Sequence, residues 1–208
     1  MQNKNIVFEE LTEKGLIKRI VDIHLSVFPN FFLTFLGKGF LCTLYLGFLE
    51  HDSSGIIIAR EDENVLGFLA YSKDLSGFYK WLIKHKVIYF GFYGLKACVK
   101  SPKAIIRLMR AFLYPSQASK TEKYIEISSI GVSSSTSNSG IGSQLVKSIP
   151  NIVDTTGYKY IELTTDAINN EKANYFYQKN GFALNRTFET LEGRKMNEYH
   201  RELINEKR

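Results

Sequence analysis

In the second half of the chain, a strand pattern is followed by a polar loop and two closely spaced glycines. Residues Lys123–Val132 alternate as a β-strand does, and the seven residues Ser133–Ser139 are polar. Gly140-Ile141-Gly142 then opens a predicted helix over Ser143–Thr156. Helix N-termini offer unpaired N–H donors and a positive dipole end, and glycines let an anion approach the backbone. The segment therefore predicts either an anion cradle or a plain strand–turn–helix connection.

The other hydrophobic patterns place this segment inside an α+β fold. Runs with a period of two residues predict strands, and runs with a period of 3.6 residues predict helices. Strands are predicted at Asn5–Leu11, Gly55–Arg60, Val65–Ser72, Lys123–Val132, Tyr160–Thr165, Ala183–Leu191 and Arg194–Leu203. Helices are predicted at Glu13–Ser26, Thr34–Glu50, Leu75–Leu95, Pro102–Tyr114, Ser143–Thr156 and Asn170–Asn180. We expect a mixed central sheet flanked by helices, in a single domain over residues 1–208.

Composition and residue spacing exclude several other classes of protein. Hydrophobic residues make up 44% of the chain and charged residues 23%, which is typical of a soluble globular protein and excludes a disordered one. Cys42 and Cys98 are isolated and the four histidines are scattered, so we expect no metal site. No run approaches the roughly 20 apolar residues that a membrane span needs, and the N-terminus does not resemble a signal peptide. We therefore expect a cytoplasmic protein.

The net charge of +6 is concentrated in one stretch, residues Ser72–Ser119. This stretch carries nine Lys or Arg residues and one acid, together with nine of the 28 aromatic residues. It separates the third predicted strand from the fourth, so we interpret it as a helical insertion. Its basic face is either a solvated surface, the rim of a pocket for an anionic molecule, or a contact with a membrane surface. Nucleic acid is not expected, because no recognition motif accompanies the charge.

Two motifs in this chain resemble those of the GNAT acetyltransferases. The first is the family's strand, loop and Gln/Arg-x-x-Gly-x-Gly/Ala pattern, whose spacing Val132 and Ser137–Gly142 reproduce. The second is Asn-x-x-Ala-x-x-x-Tyr-x-x-x-Gly-Phe, which the chain matches at Asn170, Ala173, Tyr177, Gly181 and Phe182. The resemblance covers all of the chain except the insertion. It implies a GNAT-like acyl-CoA N-acyltransferase fold with a helical insertion between the third and fourth strands, at about residues 72–119.

The resemblance also implies acetyl-CoA as the co-substrate and assigns residues to it. The pyrophosphate would be bound by Ser137, Asn138, Ser139, Gly140, Ile141, Gly142 and Ser143. The backbone of Ile130 and Val132 would pair with the pantetheine arm as an added strand does, and Asn170 would hydrogen-bond the coenzyme. Ser137 replaces the family's Gln or Arg, so we expect weakened coenzyme binding.

The same resemblance assigns two catalytic roles. Tyr177 would act as the general acid that protonates the leaving thiolate, the alternative being that its ring only packs in a helix. Glu126 lies eleven residues before Ser137, where some family members place the base that deprotonates the amine. Strand alternation predicts that Glu126 shares a face with Ser128, Ile130 and Val132. The alternative to Glu126 is a chain of water molecules.

The expected reaction is acetyl transfer from acetyl-CoA to a primary amine by direct attack. The segment Phe28–Phe40 resembles bacterial acetyltransferases of surface-polysaccharide synthesis, which favours an amino sugar or a sugar nucleotide as the acceptor. A peptide or protein amine is the alternative acceptor, and an acyl-CoA-binding protein with weak catalysis is the alternative function. A homodimer through the insertion stays open.

Overall fold

The computed structural model of the protein describes residues 5–29, 31–100, 122–136, 139–190 and 193–203. The predicted helix Pro102–Tyr114 and the predicted coenzyme-binding residues Ser137 and Asn138 lie outside the described residues. The described residues form seven strands and six α-helices, which confirms the predicted α+β class.

All seven strands join one mixed sheet. The strands are β1 (Val7–Glu10), β2 (Ser54–Glu61), β3 (Asn64–Ser72), β4 (Tyr124–Val132), β5 (Tyr160–Asp166), β6 (Ala183–Glu189) and β7 (Lys195–Glu202). Their order across the sheet is β1-β2-β3-β4-β5-β7-β6. Neighbouring strands are antiparallel except β4 and β5, which run parallel. The parallel pair therefore lies in the interior of the sheet, where both strands have a partner on each side.

Helices cover both faces of this sheet. They are α1 (Ile17–Val27), α2 (Phe32–Phe35), α3 (Lys38–Glu50), α4 (Leu75–Lys100), α5 (Ile141–Ile152) and α6 (Glu171–Lys179). On one side, which we call the α1 face, α1, α3 and α4 pack on β2 and β3 in a core that includes Phe40, Phe68 and Phe78. On the other side, the α5 face, α5 and part of α6 pack on a second core that includes Leu145 and Ile161. None of the helices within the described residues is long and apolar enough to span a lipid bilayer.

The structure corrects two of the predicted helices. The predicted helix Thr34–Glu50 is divided into α2 and α3, because Gly37 adopts φ +87, a left-handed conformation that interrupts helical hydrogen bonding. The predicted helix Ser143–Thr156 begins earlier and ends earlier, as α5, with Pro150 in its last turn. The helical start of the insertion is confirmed, since α4 follows β3 directly.

Candidate functional site

A gap opens in the middle of the sheet between the two parallel strands. β4 and β5 pair only at Tyr124↔Tyr160, Ile125↔Ile161 and Glu126↔Glu162. Beyond these pairs β4 continues to Val132 and β5 continues to Asp166 without further pairing to each other. Each strand keeps its partner on the outer side, β3 for β4 and β7 for β5. The gap therefore exposes main-chain groups on two strands that face each other.

The register of β4 shows which of its residues direct main-chain groups into the gap. Ser133 donates its N–H to the carbonyl of Leu66 on the β3 side, at 2.8 Å. Hydrogen-bonded and non-hydrogen-bonded pairs alternate along an antiparallel ladder. Val132, paired with Gly67, and Ile130, paired with Leu69, are therefore non-hydrogen-bonded pairs with β3. Their N–H and C=O groups point away from β3 and into the gap, as the predicted pairing with an extended arm requires.

The N-terminus of α5 lies beside the far end of this gap. Gly140 is the N-cap with φ +83 and has no side chain that could cap the helix, and the first helical bond runs from Gln144 N–H to Gly140 C=O at 3.1 Å. The N–H groups of Ile141, Gly142 and Ser143 therefore precede the helical hydrogen-bond ladder. A Cβ on Gly142 would lie 3.3 Å from the Phe176 ring and 3.6 Å from Val132. Glycine at this position thus lets the helix start pack closely against β4 and α6.

Asn170 begins α6 at the end of β5, and the structure gives it a role that the sequence did not suggest. Its side-chain Nδ2 donates to Thr165 Oγ1 at 2.7 Å, and its main-chain carbonyl accepts from Asn174 Nδ2 at 2.8 Å. The side chain therefore ties the start of α6 to the end of β5. Its carbonyl oxygen Oδ1 accepts no hydrogen bond from the described part of the chain, so that atom stays available to a ligand.

Tyr177 lies near the C-terminal end of α6 and is half-buried against the second core. Its ring is in contact with those of Phe176, Phe182 and Tyr199, at centroid distances of 5.3, 5.9 and 6.0 Å. Burial raises the pKa of Tyr177 to about 12. The hydroxyl makes no hydrogen bond within the described ranges. It is therefore protonated at neutral pH and can act as a donor rather than as a base.

Glu126 and the pair Ile130 and Val132 lie on opposite faces of the sheet, so the prediction from strict alternation that they share a face is wrong. Ala70 pairs with Ser129 and Tyr71 with Ile127, so Ser128 is an extra residue, a β-bulge. The bulge changes the alternation by one residue. Ile130 and Val132 consequently pack on the α5 face with Ile125 and Ile127, whereas Glu126 lies on the α1 face. There Glu126 faces Tyr79 of α4, whose pKa is raised by burial and by the negative charge of Glu126.

Beside Glu126, two further carboxylates and a histidine meet on neighbouring strands. His200 Nε2 lies 2.8 Å from Glu162 Oε2 and 3.1 Å from Glu198 Oε1, and both carboxylates are buried. Among the described residues, this is the group whose potential ligand atoms lie close enough to hold a metal ion. The Arg186 guanidinium donates from Nη2 to Glu198 Oε2 at 2.8 Å and compensates part of the negative charge. No sequence spacing predicted this cluster, because its members come from different strands.

The part of the basic insertion that the structure describes also modifies the sequence interpretation. Lys86 forms an ion pair with Glu50 at 2.7 Å, and its ammonium lies 6.0 Å from the centroid of the Trp81 ring. Lys86 therefore joins α4 to α3. Lys80 and Lys84, in contrast, are exposed.

Comparisons with known proteins agree with this geometry. A family model described as "Acetyltransferase (GNAT) family" matches residues 18–182. No curated protein matches the chain. Among solved structures, an N-acetyltransferase from Staphylococcus aureus Mu50 shares 17% identity and a TM-score of 0.59, over 95% of this chain and 98% of the other.

Some of the similar structures contain acetyl-CoA. NAA60 from Arabidopsis thaliana in complex with acetyl-CoA has 14% identity and a TM-score of 0.61, over 96% of this chain and 99% of the other. A GNAT family acetyltransferase from Elizabethkingia anophelis with acetyl-CoA bound has 18% identity and a TM-score of 0.53, over 97% and 100%. At these identities the likeness concerns the fold.

Proposed function

Because the chain belongs to the GNAT family of acetyltransferases, which use acetyl-CoA, we propose that it moves the acetyl group of acetyl-CoA directly to a primary amine. The observation that carries this proposal is the gap between β4 and β5, with the N-terminus of α5, whose N-cap is Gly140, at its far end. An extended arm needs main-chain partners, and a pyrophosphate needs N–H donors at a helix start. The described part of the chain offers both, one beside the other.

The coenzyme is expected to lie along the gap with its pyrophosphate at the loop and helix start. Main-chain N–H groups of the helix start, from Ile141 to Ser143, would hold the pyrophosphate, together with the loop residues Ser137, Asn138, Ser139 and Gly140. The pantetheine arm would pair with Ile130 and Val132, and Asn170 Oδ1 would accept a hydrogen bond from it. The gap closes at Glu126 and Glu162. An arm that enters at Val132 therefore brings its thioester close to the bulge in β4.

The reaction needs one proton acceptor and one proton donor. A protonated amine has no lone pair, so Glu126, or water beside it, would first take a proton from the acceptor on the α1 face. The amine nitrogen then attacks the thioester carbon, the C–N bond forms, and the C–S bond breaks. Tyr177 would give its proton to the departing sulfur, and the second proton that the nitrogen loses as the amide forms would return to Tyr177 through water. A hydroxyl with a pKa of about 12 can do this only as negative charge develops on that sulfur.

For the acceptor we propose an amino sugar or a sugar nucleotide. The support is the resemblance of Phe28–Phe40 to enzymes of surface-polysaccharide synthesis, together with the position of this segment. Phe28 and Phe31 pack near His24, at ring distances of 4.9 and 6.5 Å, on the same face as Glu126. The exposed Lys80 and Lys84 at the start of the insertion would attract an anionic acceptor.

Release of the coenzyme thiol tests the proposal. The purified chain is mixed with acetyl-CoA and, separately, with amino sugars, nucleotide-linked amino sugars, a diamine and a peptide with a free N-terminus. We expect thiol release that depends on an amine and is fastest for an amino-sugar derivative. Amine-dependent thiol release with the peptide but with no amino sugar would identify a peptide amine as the acceptor. Acetyl-CoA binding without release for any amine would identify an acyl-CoA-binding protein instead of an enzyme.

A further inference from the structure

A line of hydrogen-bonded side chains crosses the first core and ends at the bulge in β4. His24 Nδ1 on α1 lies 2.7 Å from the hydroxyl of Tyr45 on α3, and that hydroxyl lies 3.1 Å from Ser129 Oγ on β4. His24 and Tyr45 are each 1% exposed, whereas Ser129 is half-buried. The line therefore begins in the interior and reaches the surface at Ser129.

Burying these polar side chains in an apolar core lowers the stability of the fold. The surrounding core consists of apolar residues such as Phe40, Phe48 and Phe68. Within the described residues His24 Nε2 is buried without any hydrogen-bond partner. A buried polar atom without a partner lowers stability, and apolar side chains of similar shape would avoid that loss. The stability of the fold alone does not explain this line.

The end of the line coincides with the position proposed for the chemistry. The gap between β4 and β5 closes at Glu126 and Glu162, so the thioester end of an arm lying along β4 stops next to the bulge. Ser129 follows the bulge residue Ser128 and, like Glu126, belongs to the α1 face. The coenzyme-binding elements α5 and α6 lie on the opposite face. An amine that approaches the thioester from the α1 face, opposite α5 and α6, therefore meets Ser129.

The chemistry of the three groups sets the direction of the hydrogen bonds. Burial lowers the pKa of His24 to about 4, so the imidazole is neutral at pH 7. A phenol is a better donor than a neutral imidazole, and an imidazole nitrogen is a better acceptor than a phenol oxygen. Tyr45 therefore donates to His24 Nδ1, Ser129 donates to the oxygen of Tyr45, and Ser129 Oγ keeps its lone pairs as hydrogen-bond acceptors.

We propose that Ser129 Oγ accepts a hydrogen bond from the acceptor amine, and that Tyr45 and His24 position the Ser129 hydroxyl for this contact; the proposal rests on the proposed acetyl transfer. One N–H of the amine bound to Ser129 Oγ fixes the nitrogen, so that its lone pair faces the thioester carbon. Correct orientation of reactants supplies a large part of the rate in reactions of this kind. No proton moves along the line, and the proton of the amine leaves by Glu126 or water.

The test compares four variants with the wild-type enzyme. Ser129→Ala removes the contact, Tyr45→Phe removes the positioning hydroxyl and keeps the ring, and Ser129→Thr restores a hydroxyl on a strand-compatible side chain. Thr43→Val is the matched control, since it removes another buried hydroxyl from α3, one that donates to Gly39 C=O at 3.0 Å. For each variant we would measure kcat and KM for both substrates, the acetyl-CoA Kd by calorimetry, and Tm.

We expect Ser129→Ala and Tyr45→Phe to lower kcat/KM for the amine by at least about tenfold, with the acetyl-CoA Kd unchanged. The loss should be equal from about pH 6 to pH 9, because neutral His24 does not titrate there. Ser129→Thr should recover most of the rate, and Thr43→Val should change only Tm.

Two results would overturn this inference in different ways. If the wild-type enzyme is active, and Ser129→Ala and Tyr45→Phe match Thr43→Val in rate, the line is only a structural connection and the proposed function stands. If the wild-type chain binds no acetyl-CoA, the proposed function fails and the role of Ser129 fails with it.

Discussion

Replacing Gly140 by aspartate would place a carboxylate where the pyrophosphate of acetyl-CoA is proposed to lie. Gly140 precedes the first N–H groups of α5 and is exposed. A Cβ at this position would meet no atom within 4 Å. The new side chain therefore fits without moving its neighbours. The substitution acts on charge and on the backbone, whose φ of +83 suits glycine.

The backbone cost lowers the stability of the folded protein, whereas the charge weakens the binding of acetyl-CoA. A left-handed backbone costs an L-residue about 1–2 kcal/mol, and Asp and Asn tolerate it best. Two like unit charges about 4 Å apart repel each other by about 1 kcal/mol in water and by about 4 kcal/mol at an effective dielectric constant of about 20. We therefore expect Gly140→Asp to raise the acetyl-CoA Kd at least tenfold, which corresponds to about 1.4 kcal/mol. Added salt should reduce the difference because it screens exposed charges.

Titration calorimetry at about 0.1 M salt measures this effect, and two controls isolate its cause. Gly140→Asn has the same shape and the same backbone cost without the charge. Gly157→Asp adds the same charge at φ +79, also in open space, but in the turn that follows α5. We expect both controls to bind acetyl-CoA nearly as the wild-type protein does. If Gly140→Asp and Gly140→Asn bind equally well, no phosphate lies at the start of α5 and the reasoning is refuted.

Three further predictions concern catalysis, charge and pH. Tyr177→Phe should lower kcat by about 10²–10⁴-fold with little change in acetyl-CoA affinity, since only the proton donor is lost. A turnover near that of the wild-type enzyme would mean that the Tyr177 ring only packs against its neighbours. The double variant Lys80→Gln with Lys84→Gln should raise the KM of an anionic acceptor but not that of acetyl-CoA, and Lys147→Gln on α5 is the control. If the double variant instead keeps its kinetics but loses binding to anionic vesicles, these lysines contact a membrane surface. The pKa of His24 is about 4 in the folded protein and about 6.5 in the unfolded chain. As the pH falls, the unfolded chain is therefore protonated at His24 before the folded protein is. The free energy of unfolding should fall by up to about 3 kcal/mol as the pH drops from 6.5 to 4. Thermal unfolding of His24→Asn over the same range should show a smaller loss, and an equal loss would contradict the burial of a neutral imidazole.

Local patterns predicted the parts of the fold that depend on neighbours in sequence. The strand Lys123–Val132, the hairpin of β2 and β3 and the presence of a helix after Gly140 all follow from residue period and turn residues, and the structure confirms that these elements form. The division between α2 and α3 was missed, because a glycine inside an apolar helical pattern does not reveal that its φ is positive. Helix ends depend on hydrogen bonds with groups that the sequence does not place.

Errors at the candidate site arose where strand pairing decides the outcome. The face of Glu126 was predicted from strict alternation, but the bulge at Ser128 depends on how β4 pairs with β3. The other contacts could not be predicted because their residues lie far apart in the sequence. The cluster around His200 joins residues of three strands, and the line from His24 to Ser129 joins residues more than a hundred positions apart. Such contacts become visible only when the sheet is assembled.

The most direct test of the account follows the acetyl group itself. The enzyme is incubated with isotopically labelled acetyl-CoA and an amine that it accepts, and mass spectrometry measures the acetylated amine, the free coenzyme and the protein. Direct transfer in the gap between β4 and β5 predicts one labelled acetylamine for each coenzyme thiol released and an unlabelled protein throughout. Label on the protein chain before it appears on the amine, or thiol release without an acetylated amine, would contradict the account.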